Sequence, residues 1–464
     1  MKTIVKLSAL FLFIISINSC QKTEPLGLDQ ASSLDLATGA APPNIILILA
    51  DDIGYEIPTY TGGQSYSTPN LDYIAGHGIQ FTQAHTAPLC SPSRTMLLTG
   101  KYNFRNYKTW GTLDTSEKMI ANLMKKTGYT TCMAGKWQFD GGDASIRKFG
   151  FDKYLVTNPF NVDFADDGAL KFYKDPQIYE NGAYWPDSKT KGKYGDDLIR
   201  DYMFNYIDSV TALPTRKPFF IYWATNLVHE PFCPTPDDPQ FASWNSDKKK
   251  SPGDSIYFPS MVKYEDKLVG QLLSKLQADK ITGRTLVIWL GDNGTTADIH
   301  SVWRGQVVGG AKSSTTEAGT HVPMLAYMPG QIQTHATDTS LISLVDFMNT
   351  IADAAGTTVP KSYGAVDGIS FYNQMFGNYS SVRPWIFCHF VGAGKNETNP
   401  LYLRRWMQDH TYKQYDSLPN PKFSQKFFNI VTDPDELHPI AKKNMTAQEK
   451  AVSNNFMKNM KTLH

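Results

Sequence analysis

Residues 44–52 read NIILILADD, an uninterrupted apolar run that ends in two aspartates. A short continuous apolar run predicts a β-strand that is covered on both faces, as in a parallel sheet. Similar runs occur at 219–223 (FFIYW) and 286–290 (LVIWL). Between the runs, apolar residues recur every three or four positions at 116–126 and 261–276, which predicts amphipathic helices. Strands alternating with helices favour an α/β fold with a largely parallel central sheet flanked by helices.

Two parts of the chain depart from this alternation. Residues 140–215 are rich in Gly, Asp, Lys and Tyr, and we expect a long insertion near a functional site. After about residue 376, short aromatic runs predict a small antiparallel sheet, and these runs lie at 385–390, 401–406 and 427–431. A terminal helix is expected to begin near Thr446. The sequence therefore predicts a main domain over 44–375 and a smaller C-terminal α+β subdomain over 376–464.

The composition narrows the classes of protein to consider. The chain has 464 residues, with 45 Lys and Arg against 44 Asp and Glu, for a formal charge of +1. This balance gives no whole-chain attraction to nucleic acid or to an acidic membrane surface. Aromatic residues make up 12% of the chain, which excludes a disordered protein. Five cysteines are too few for a disulfide framework, so each needs its own explanation.

The N-terminus has the features of an export signal. Lysines at positions 2 and 6 precede an apolar stretch at 7–20 that is too short to span a bilayer. The stretch ends in INSC, which resembles a bacterial lipoprotein signal in which Cys20 becomes the lipidated first residue. An ordinary secretory signal is the alternative. Residues 21–43 are expected to form a tether. The mature protein would then be exported and anchored by its lipid in the periplasm or on the surface of a bacterium.

Polar side chains follow two of the predicted buried strands directly. Asp51 and Asp52 follow the first strand, and Asp292 and Asn293 come shortly after the strand at 286–290. Because open α/β sheets bind their ligands at the carboxyl ends of the strands, we expect these side chains to meet. Three carboxylates and an amide form an oxygen-only set that suits Ca²⁺ or Mg²⁺ rather than zinc. Taken separately, each pair could instead cap a helix or form a turn.

Residues 88–100 read PLCSPSRTMLLTG and carry the most specific pattern in the chain. This segment resembles the signature of the type I sulfatases of the alkaline phosphatase superfamily, with Pro92 and Arg94 in register with Cys90. The resemblance implies that a separate maturation enzyme oxidises Cys90 to Cα-formylglycine, the precursor of the nucleophile. The residues after Cys90 are also expected to begin a helix, whose amino end favours an anion. A merely buried thiol is the alternative.

A second sulfatase signature is nearly complete at 128–137, where the sequence reads GYTTCMAGKW. The match implies that Lys136 binds sulfate. The usual family pattern has a histidine after the tryptophan, whereas this chain has Gln138. That histidine is thought to take a proton from the formylglycine hydroxyl, and a glutamine cannot act as a base. His300, His321, a metal-bound water and solvent are all open as replacements.

Three further segments resemble the family. TNLVHEP at 225–231 implies that His229 protonates the leaving oxygen. GAK at 310–312, followed by EAGTHVP at 317–323, implies that Lys312 is a second sulfate-binding lysine. The segment at 427–436 resembles a stretch of the family's C-terminal subdomain.

Together the matches imply both a fold and an activity. The implied fold is alkaline-phosphatase-like, with the sulfatase catalytic domain at 44–375. The implied activity is the hydrolysis of sulfate esters, in which Arg94, Lys136 and Lys312 stabilise the charge on sulfate. The ligands that the family implies for Ca²⁺ are Asp51, Asp52, Asp292, Asn293 and the formylglycine made from Cys90.

The export signal and the family together indicate a sulfated carbohydrate as the substrate. Aromatic residues within 158–194 and the loop at 299–304 are expected to stack on sugar rings, with core or lid packing as the alternative. The residues expected to contact substrate are Gln138, His300, Arg304 and His321, and an arginine suits a further sulfate or carboxylate.

Two rival functions stay open at this point. A phosphonate monoester or phosphodiester hydrolase of the same superfamily shares the fold and can share the formylglycine. A non-catalytic lipoprotein that binds sulfated glycan would explain Gln138. It would leave the intact motif around Cys90, the four metal-ligand positions and both lysines unexplained.

Overall fold

The computed structural model of the chain describes residues 42–160, 171–213, 215–247, 254–379, 382–392 and 399–463. The expected signal peptide, Cys20 and nearly all of the expected tether lie outside these residues. Within the described ranges, no helix has both the length and the apolar character needed to cross a bilayer.

The secondary structure alternates between strands and helices over most of the chain. The strands are β1 (Asn44–Ala50), β2 (Ile79–His85), β3 (Thr130–Lys136), β4 (Lys153–Thr157), β5 (Tyr179–Glu180), β6 (Ala183–Tyr184), β7 (Phe219–Ala224), β8 (Thr285–Gly291), β9 (His300–Trp303), β10 (Gln306–Gly309), β11 (His321–Tyr327), β12 (Ala336–Asp338), β13 (Ile342–Ser343), β14 (Ile386–Val391), β15 (Leu403–Gln408), β16 (Tyr412–Tyr415) and β17 (Phe427–Asn429). The helices are α1 (Pro69–His77), α2 (Cys90–Thr99), α3 (Asn103–Asn106), α4 (Ile120–Lys126), α5 (Gly142–Lys148), α6 (Asp187–Thr190), α7 (Gly195–Thr211), α8 (Phe258–Ala278), α9 (Glu317–Thr320), α10 (Phe347–Ala354) and α11 (Ala447–Met460).

The central sheet is built around β1. This strand pairs in parallel with β7 on one side and with β8 on the other. The strand order is β12-β2-β11-β8-β1-β7-β3-β4-β5-β6, with β13 also paired to β2. Helices α2, α4 and α10 contribute to the core on one face, and α1, α7 and α8 to the core on the other. Residues from Ile45 to Ala50 are therefore all buried, as the unbroken apolar run predicts.

A second sheet follows in the C-terminal part of the chain. It is antiparallel and has the order β14-β15-β16-β17, with α11 packed on β15 and β16. Helix α11 begins where the sequence predicts, because the Thr446 hydroxyl accepts the backbone N–H of Glu449 at 3.2 Å. The predicted fold class is confirmed: a mostly parallel sheet flanked by helices, with an antiparallel C-terminal sheet. The domain border near residue 376 stays a prediction.

Some predicted elements differ from the structure. The 140–215 segment is not an insertion throughout, because β4 extends the central sheet by pairing in parallel with β3, and α7 packs on one face. Helix α4 begins at Ile120 rather than at residue 116, because the Asp114 carboxylate accepts the Ser116 N–H at 2.8 Å and holds a turn there. Strand β16 was not predicted, since its polar and aromatic residues give no clear apolar run.

The parallel strands bring four chain segments to one edge of the sheet. Strands β8, β1, β7 and β3 are neighbours that run in one direction, so their carboxyl ends lie side by side. Gly135, just before the end of β3, has φ +104°, and a Cβ there would lie 1.8 Å from the Ala224 carbonyl oxygen of β7. Only glycine allows the two strands to approach so closely at this point.

Candidate active site

The thiol of Cys90 lies at the first residue of α2, against the carboxyl ends of the central strands. Its Sγ is 3.4 Å from Asp51 Oδ1 and 3.8 Å from Lys136 Nζ. Cys90 is only 1% exposed. Burial, and then the carboxylates of Asp292 and Asp51, raise the pKa of the thiol well above its ordinary value. The thiol is therefore protonated at neutral pH and is a poor nucleophile in that form.

Four oxygen-bearing side chains from two strand ends meet beside Cys90. Asp52 adopts a left-handed conformation (φ 60°), and its backbone N–H donates to Asp292 Oδ1 at 3.1 Å. Asn293 Nδ2 donates to Asp52 Oδ1 at 2.7 Å. The other amide atom, Asn293 Oδ1, is buried and has no hydrogen-bond partner within the described ranges. The structure thus brings together Asp51, Asp52, Asp292 and Asn293, which the sequence placed at separate strand ends.

Arg94 lies one helical turn after Cys90, on the same face of α2. Its guanidinium donates to Asp292 Oδ2 at 2.9 Å and to the Lys136 carbonyl at 3.0 Å, and it lies 3.5 Å from Asp51 Oδ2. The arginine side chain is fully buried. It therefore ties α2 to the carboxyl ends of β8, β3 and β1 and neutralises charge that could not otherwise be buried.

Two lysines complete the charge balance. Lys136 pairs with Asp51, and Lys312 Nζ lies 2.7 Å from Asp52 Oδ2. Burial alone would raise the pKa of Asp51, but Lys136, His229 and Arg94 outweigh it and hold that pKa below its usual range. The Lys136 side chain is fully buried, whereas that of Lys312 is 16% exposed. The charged cluster is therefore most open on the Lys312 side.

His229 lies beside the same carboxylates, in the loop after β7. Its Nδ1 is 2.6 Å from the Glu230 carbonyl, and its Nε2 is 3.9 Å from Asp52 Oδ2. A carbonyl only accepts, so we assign the ring proton of the neutral form to Nδ1. Burial, followed by the positive charges of Lys136 and Lys312, lowers the pKa of His229 to about 4. The imidazole is therefore neutral at pH 7 in this arrangement.

A buried network behind His229 was not found from the sequence. The Tyr173 hydroxyl lies 2.6 Å from the carbonyls of both Asn226 and His229, and Asp196 Oδ1 accepts the Asn226 N–H at 3.0 Å. Burial raises the pKa of Asp196 to about 7, against the opposing effect of hydrogen bonds from Asn226. In the sequence, Asp196 has only the features of an acidic residue in the first turn of a helix, which gave no signal for this role.

The residues expected to contact substrate do not form one group. Gln138 is 2% exposed, and neither side-chain amide atom has a hydrogen-bond partner among the described residues. His300 and Arg304 belong to the exposed β9–β10 hairpin, where the guanidinium of Arg304 lies 4.7 Å from the centre of the Trp303 ring. His321 stacks on Tyr55 at 4.0 Å between ring centres.

His321 and Trp303 share a cavity of about 500 Å³ with Tyr55, Glu317 and His410. His321 Nε2 also lies 2.8 Å from the Thr82 carbonyl. Across the described ranges, no hydrogen bond or ion pair joins His300, Arg304 or His321 to the side chains of the charged cluster. Of the aromatic residues predicted for sugar stacking, the structure therefore places Trp303 in this cavity, whereas Phe172 and Tyr173 are buried in the core.

The cluster fits the binding of a hard cation. Asp51, Asp52, Cys90 and His229 each offer an atom, and these atoms lie within 4.8 Å of one another. Ca²⁺ takes oxygen ligands, so the carboxylates and the unpartnered Asn293 Oδ1 suit it, whereas the His229 nitrogen does not. Asp292 joins the group through its hydrogen bond with the Asp52 N–H. The residues present therefore suit a calcium ion, with Cys90 at its edge.

Comparison with known proteins agrees with this site. A family model described as Sulfatase matches residues 43–357. The chain belongs to the sulfatase family. N-acetylgalactosamine-6-sulfatase of Mus musculus is 31% identical over 378 residues, which are 75% of this chain and 69% of that protein. The protein is accordingly a sulfuric ester hydrolase of the formylglycine-type sulfatases in the alkaline phosphatase superfamily.

Solved structures share the fold of the sulfatase. A crystal structure of Ps i-CgsB in complex with k-i-k-neocarrahexaose has a TM-score of 0.72 and 24% identity, and covers 91% of this chain and 92% of that chain. The phosphonate monoester hydrolase of Agrobacterium radiobacter has a TM-score of 0.62 and 18% identity, and covers 91% of this chain and 95% of that chain. Both likenesses concern the fold alone.

We expect Ca²⁺ to raise the melting temperature of the sulfatase and Asn293→Ala to remove most of that rise. The alanine lacks the buried, unpartnered oxygen that suits the ion. A ligand present at a hundredfold excess over its Kd stabilises the native state by about 2.7 kcal/mol. Thermal unfolding with Ca²⁺ and with a chelator measures the effect. The exposed Asn455→Ala on α11 is the control and should keep the full rise; an unchanged rise in Asn293→Ala would contradict the assignment.

We expect Asp196→Asn to raise the free energy of unfolding at pH 8 and to leave it unchanged near pH 4. The pKa of Asp196 is about 7 in the folded chain, against about 3.9 in an unfolded one. The unfolded state therefore releases this proton first, and stability falls by up to about 1.4 kcal/mol per pH unit as pH rises from about 4 to 7. Asparagine does not ionise, so the variant lacks this fall in stability. Urea unfolding between about pH 4 and pH 8 measures the free energy of unfolding of both proteins.

Asp201→Asn is the matched control, because Asp201 is exposed and pairs with Arg200 on the surface of α7. The free energy of unfolding of the Asp201→Asn variant should show the same pH dependence as that of the wild type. The same pH dependence in Asp196→Asn and in the wild type would show that Asp196 is ionised in the folded chain.

Proposed function

We propose that the protein removes sulfate from carbohydrates, with a formylglycine made from Cys90 as the nucleophile precursor and with bound Ca²⁺. The observation that carries the proposal is the position of Cys90. Its Sγ is 3.4 Å from a carboxylate suited to calcium and 3.8 Å from the Lys136 ammonium. A nucleophile at this position stands between a metal site and the cations that would hold a sulfate group.

The chain's own residues would bind and orient the sulfate ester. When present, the calcium ion stabilises negative charge and the formylglycine supplies a nucleophilic hydroxyl. The three carboxylates balance Arg94, Lys136 and Lys312, so a divalent cation leaves the site with an excess of two positive charges. That excess favours an anionic substrate. Lys312, the partly exposed lysine, would meet the sulfate group first, and Lys136 lies deeper beside Cys90.

His229 would hold the proton that the leaving oxygen needs. The positive charges of Lys136 and Lys312 contribute to its low pKa. A bound sulfate ester places negative charge between those lysines and so raises the affinity of His229 for a proton. Gln138 stands at the position of the usual family histidine, where it can donate and accept hydrogen bonds but cannot take a proton. Proton removal at that point would therefore be left to water.

The carbohydrate part of the proposal is supported by two findings. The curated relative described above is named for a sulfated sugar, N-acetylgalactosamine 6-sulfate. The cavity beside Tyr55, Trp303 and His321 offers aromatic faces of the kind that stack on sugar rings. A maturation enzyme that forms the formylglycine is the partner that this chemistry requires.

We expect Cys90→Ala to lower the release of sulfate from 4-nitrophenyl sulfate by at least about a thousandfold, because it removes the nucleophile. Protein from a host with an active maturation enzyme should yield a Cys90 peptide that is lighter than cysteine requires and that reacts with an aldehyde probe. Cys233→Ala, at another buried thiol, should keep full activity. An unmodified thiol from such a host would contradict the mechanism and favour a glycan-binding role.

The same protein preparation can be used to distinguish sulfatase activity from the rival phosphonate or phosphodiester hydrolase activity. Turnover of 4-nitrophenyl sulfate should exceed that of bis(4-nitrophenyl) phosphate, because three cationic side chains can contact the three terminal oxygens of a sulfate monoester, whereas a phosphate diester has only two. Faster turnover of the phosphate diester would reverse the assignment of substrate.

We also propose that the protein is exported and anchored through lipid on Cys20. The proposal rests on the apolar stretch at 7–20 and the INSC sequence that ends it. We expect Cys20→Ala to move the protein from the membrane fraction to the soluble fraction of its host, since one acyl-bearing residue supplies the attachment. Cys388→Ala, at a buried thiol of the second sheet, should leave the distribution unchanged. Membrane attachment that survives Cys20→Ala would contradict the anchor.

A further inference from the structure

A second cavity lies between the loop that follows Lys312 and the C-terminal sheet. It has a volume of about 480 Å³, within the range of pockets that hold small ligands. Ser313, Ser314 and Thr316 line one side, and Arg404 and Lys422 line the other. The cavity is therefore built from hydroxyl groups on the catalytic side and cations on the C-terminal side.

This cavity adjoins the active site through the backbone. Ser313 follows Lys312 directly, and its N–H donates to the Pro88 carbonyl at 2.9 Å, two residues before Cys90. Lys312 is also the most exposed of the three cations in the charged cluster. A ligand that reaches the cluster past Lys312 therefore passes the loop that forms the cavity wall.

The side chain of Arg404 is fixed by contacts that leave part of its guanidinium open to an anion. Its guanidinium carbon lies 4.0 Å from the centre of the Phe423 ring, and its NH1 donates to the Leu401 and Leu403 carbonyls at 2.8 Å. No carboxylate in the described part of the chain forms an ion pair with Arg404. Two of its three nitrogens are therefore left to bind a ligand, from a side chain that is already ordered.

The remaining charges of the cavity also favour an anion. The Glu436 carboxylate already accepts hydrogen bonds from Lys413 Nζ and from the Tyr415 hydroxyl, both at 2.6 Å. Asp435 is exposed and contributes one negative charge, against the positive charges of Arg404 and Lys422. The groups that line the cavity thus leave an excess of positive charge.

We infer that this cavity binds an anionic sugar residue, a uronate or a second sulfated sugar, next to the sugar that carries the scissile sulfate. The inference rests on the proposed function and extends it from single sugars to charged oligosaccharides. Arg404 and Lys422 bind the carboxylate or sulfate, and the hydroxyl side chains of Ser313, Ser314 and Thr316 bind the sugar hydroxyls. Tyr402, which is 37% exposed, adds an aromatic face at the rim.

The test compares four probes with the full-length matured protein. They are 4-nitrophenyl sulfate, N-acetylgalactosamine 6-sulfate, and that sugar linked either to a uronate or to a neutral hexose. The quantity measured is kcat/KM for sulfate release, expressed relative to the monosaccharide. In the wild type, the uronate-linked probe should be preferred over the hexose-linked one.

Arg404→Gln should lower the preference for the uronate-linked probe about 10- to 100-fold, the effect of losing a charged hydrogen-bonding partner. Lys422→Gln tests the same cavity at an exposed position where loss of folding is not expected, and should lower the preference in the same direction. Arg284→Gln is the matched control, since Arg284 is exposed just before β8, at the opposite edge of the sheet.

Each outcome decides a different point. Equal kcat/KM for the uronate- and hexose-linked probes, or a preference that both variants leave intact, would overturn the subsite while the sulfatase activity stands. If sulfate is released from none of the four probes, this result contradicts the proposed function but does not decide whether the subsite exists. Calorimetry with Cys90→Ala protein and the uronate-linked probe then decides the subsite: binding that weakens about 10-fold or more on adding Arg404→Gln supports it, and equal binding overturns it.

Discussion

The buried charge cluster at the carboxyl ends of the central strands is the constraint on which the rest of the site depends. A single unpaired charge at such a depth costs several kcal/mol, so the three carboxylates are stable there only beside three cations. Each cation comes from a different element: Arg94 from α2, Lys136 from the end of β3 and Lys312 from a loop. The pairing that makes the cluster stable therefore also fixes helix, strand and loop around Cys90.

The C-terminal sheet extends this constraint beyond the catalytic domain. Lys413 donates to the Thr315 carbonyl, and the Tyr415 hydroxyl lies 2.5 Å from Thr315 Oγ1. Glu436 binds both of these side chains, so the three residues form a closed polar network around Thr315. Lys312 lies three residues before Thr315, and its position thus depends on contacts made by the second sheet.

Strand runs and short motifs were enough to predict β1, β7 and β8 of the central sheet and the meeting of polar side chains at the ends of β1 and β8. The apolar run of β1 predicts its burial directly. The positions of Asp51 and Asp292 were predicted from the strand ends, and that of Arg94 from the motif around Cys90. The network of Tyr173 and Asp196 was missed because it joins residues 30 or more positions apart through single hydrogen bonds, which leave no periodic trace. His321 stacks on Tyr55 beside the cavity of about 500 Å³, and this packing is set by tertiary contacts that no short motif records, so its contact with substrate stays a prediction.

The depth of Cys90 also limits when the proposed modification could take place. Cys90 is 1% exposed once the chain has folded, so the maturation enzyme proposed above would have to reach it while α2 is still undocked. The residues that clamp the Thr315 loop, Lys413, Tyr415 and Glu436, lie near the end of the chain and leave the ribosome long after residue 90. The contacts of the second sheet with the Thr315 loop would thus form last, and the proposed modification of Cys90 would have to precede them.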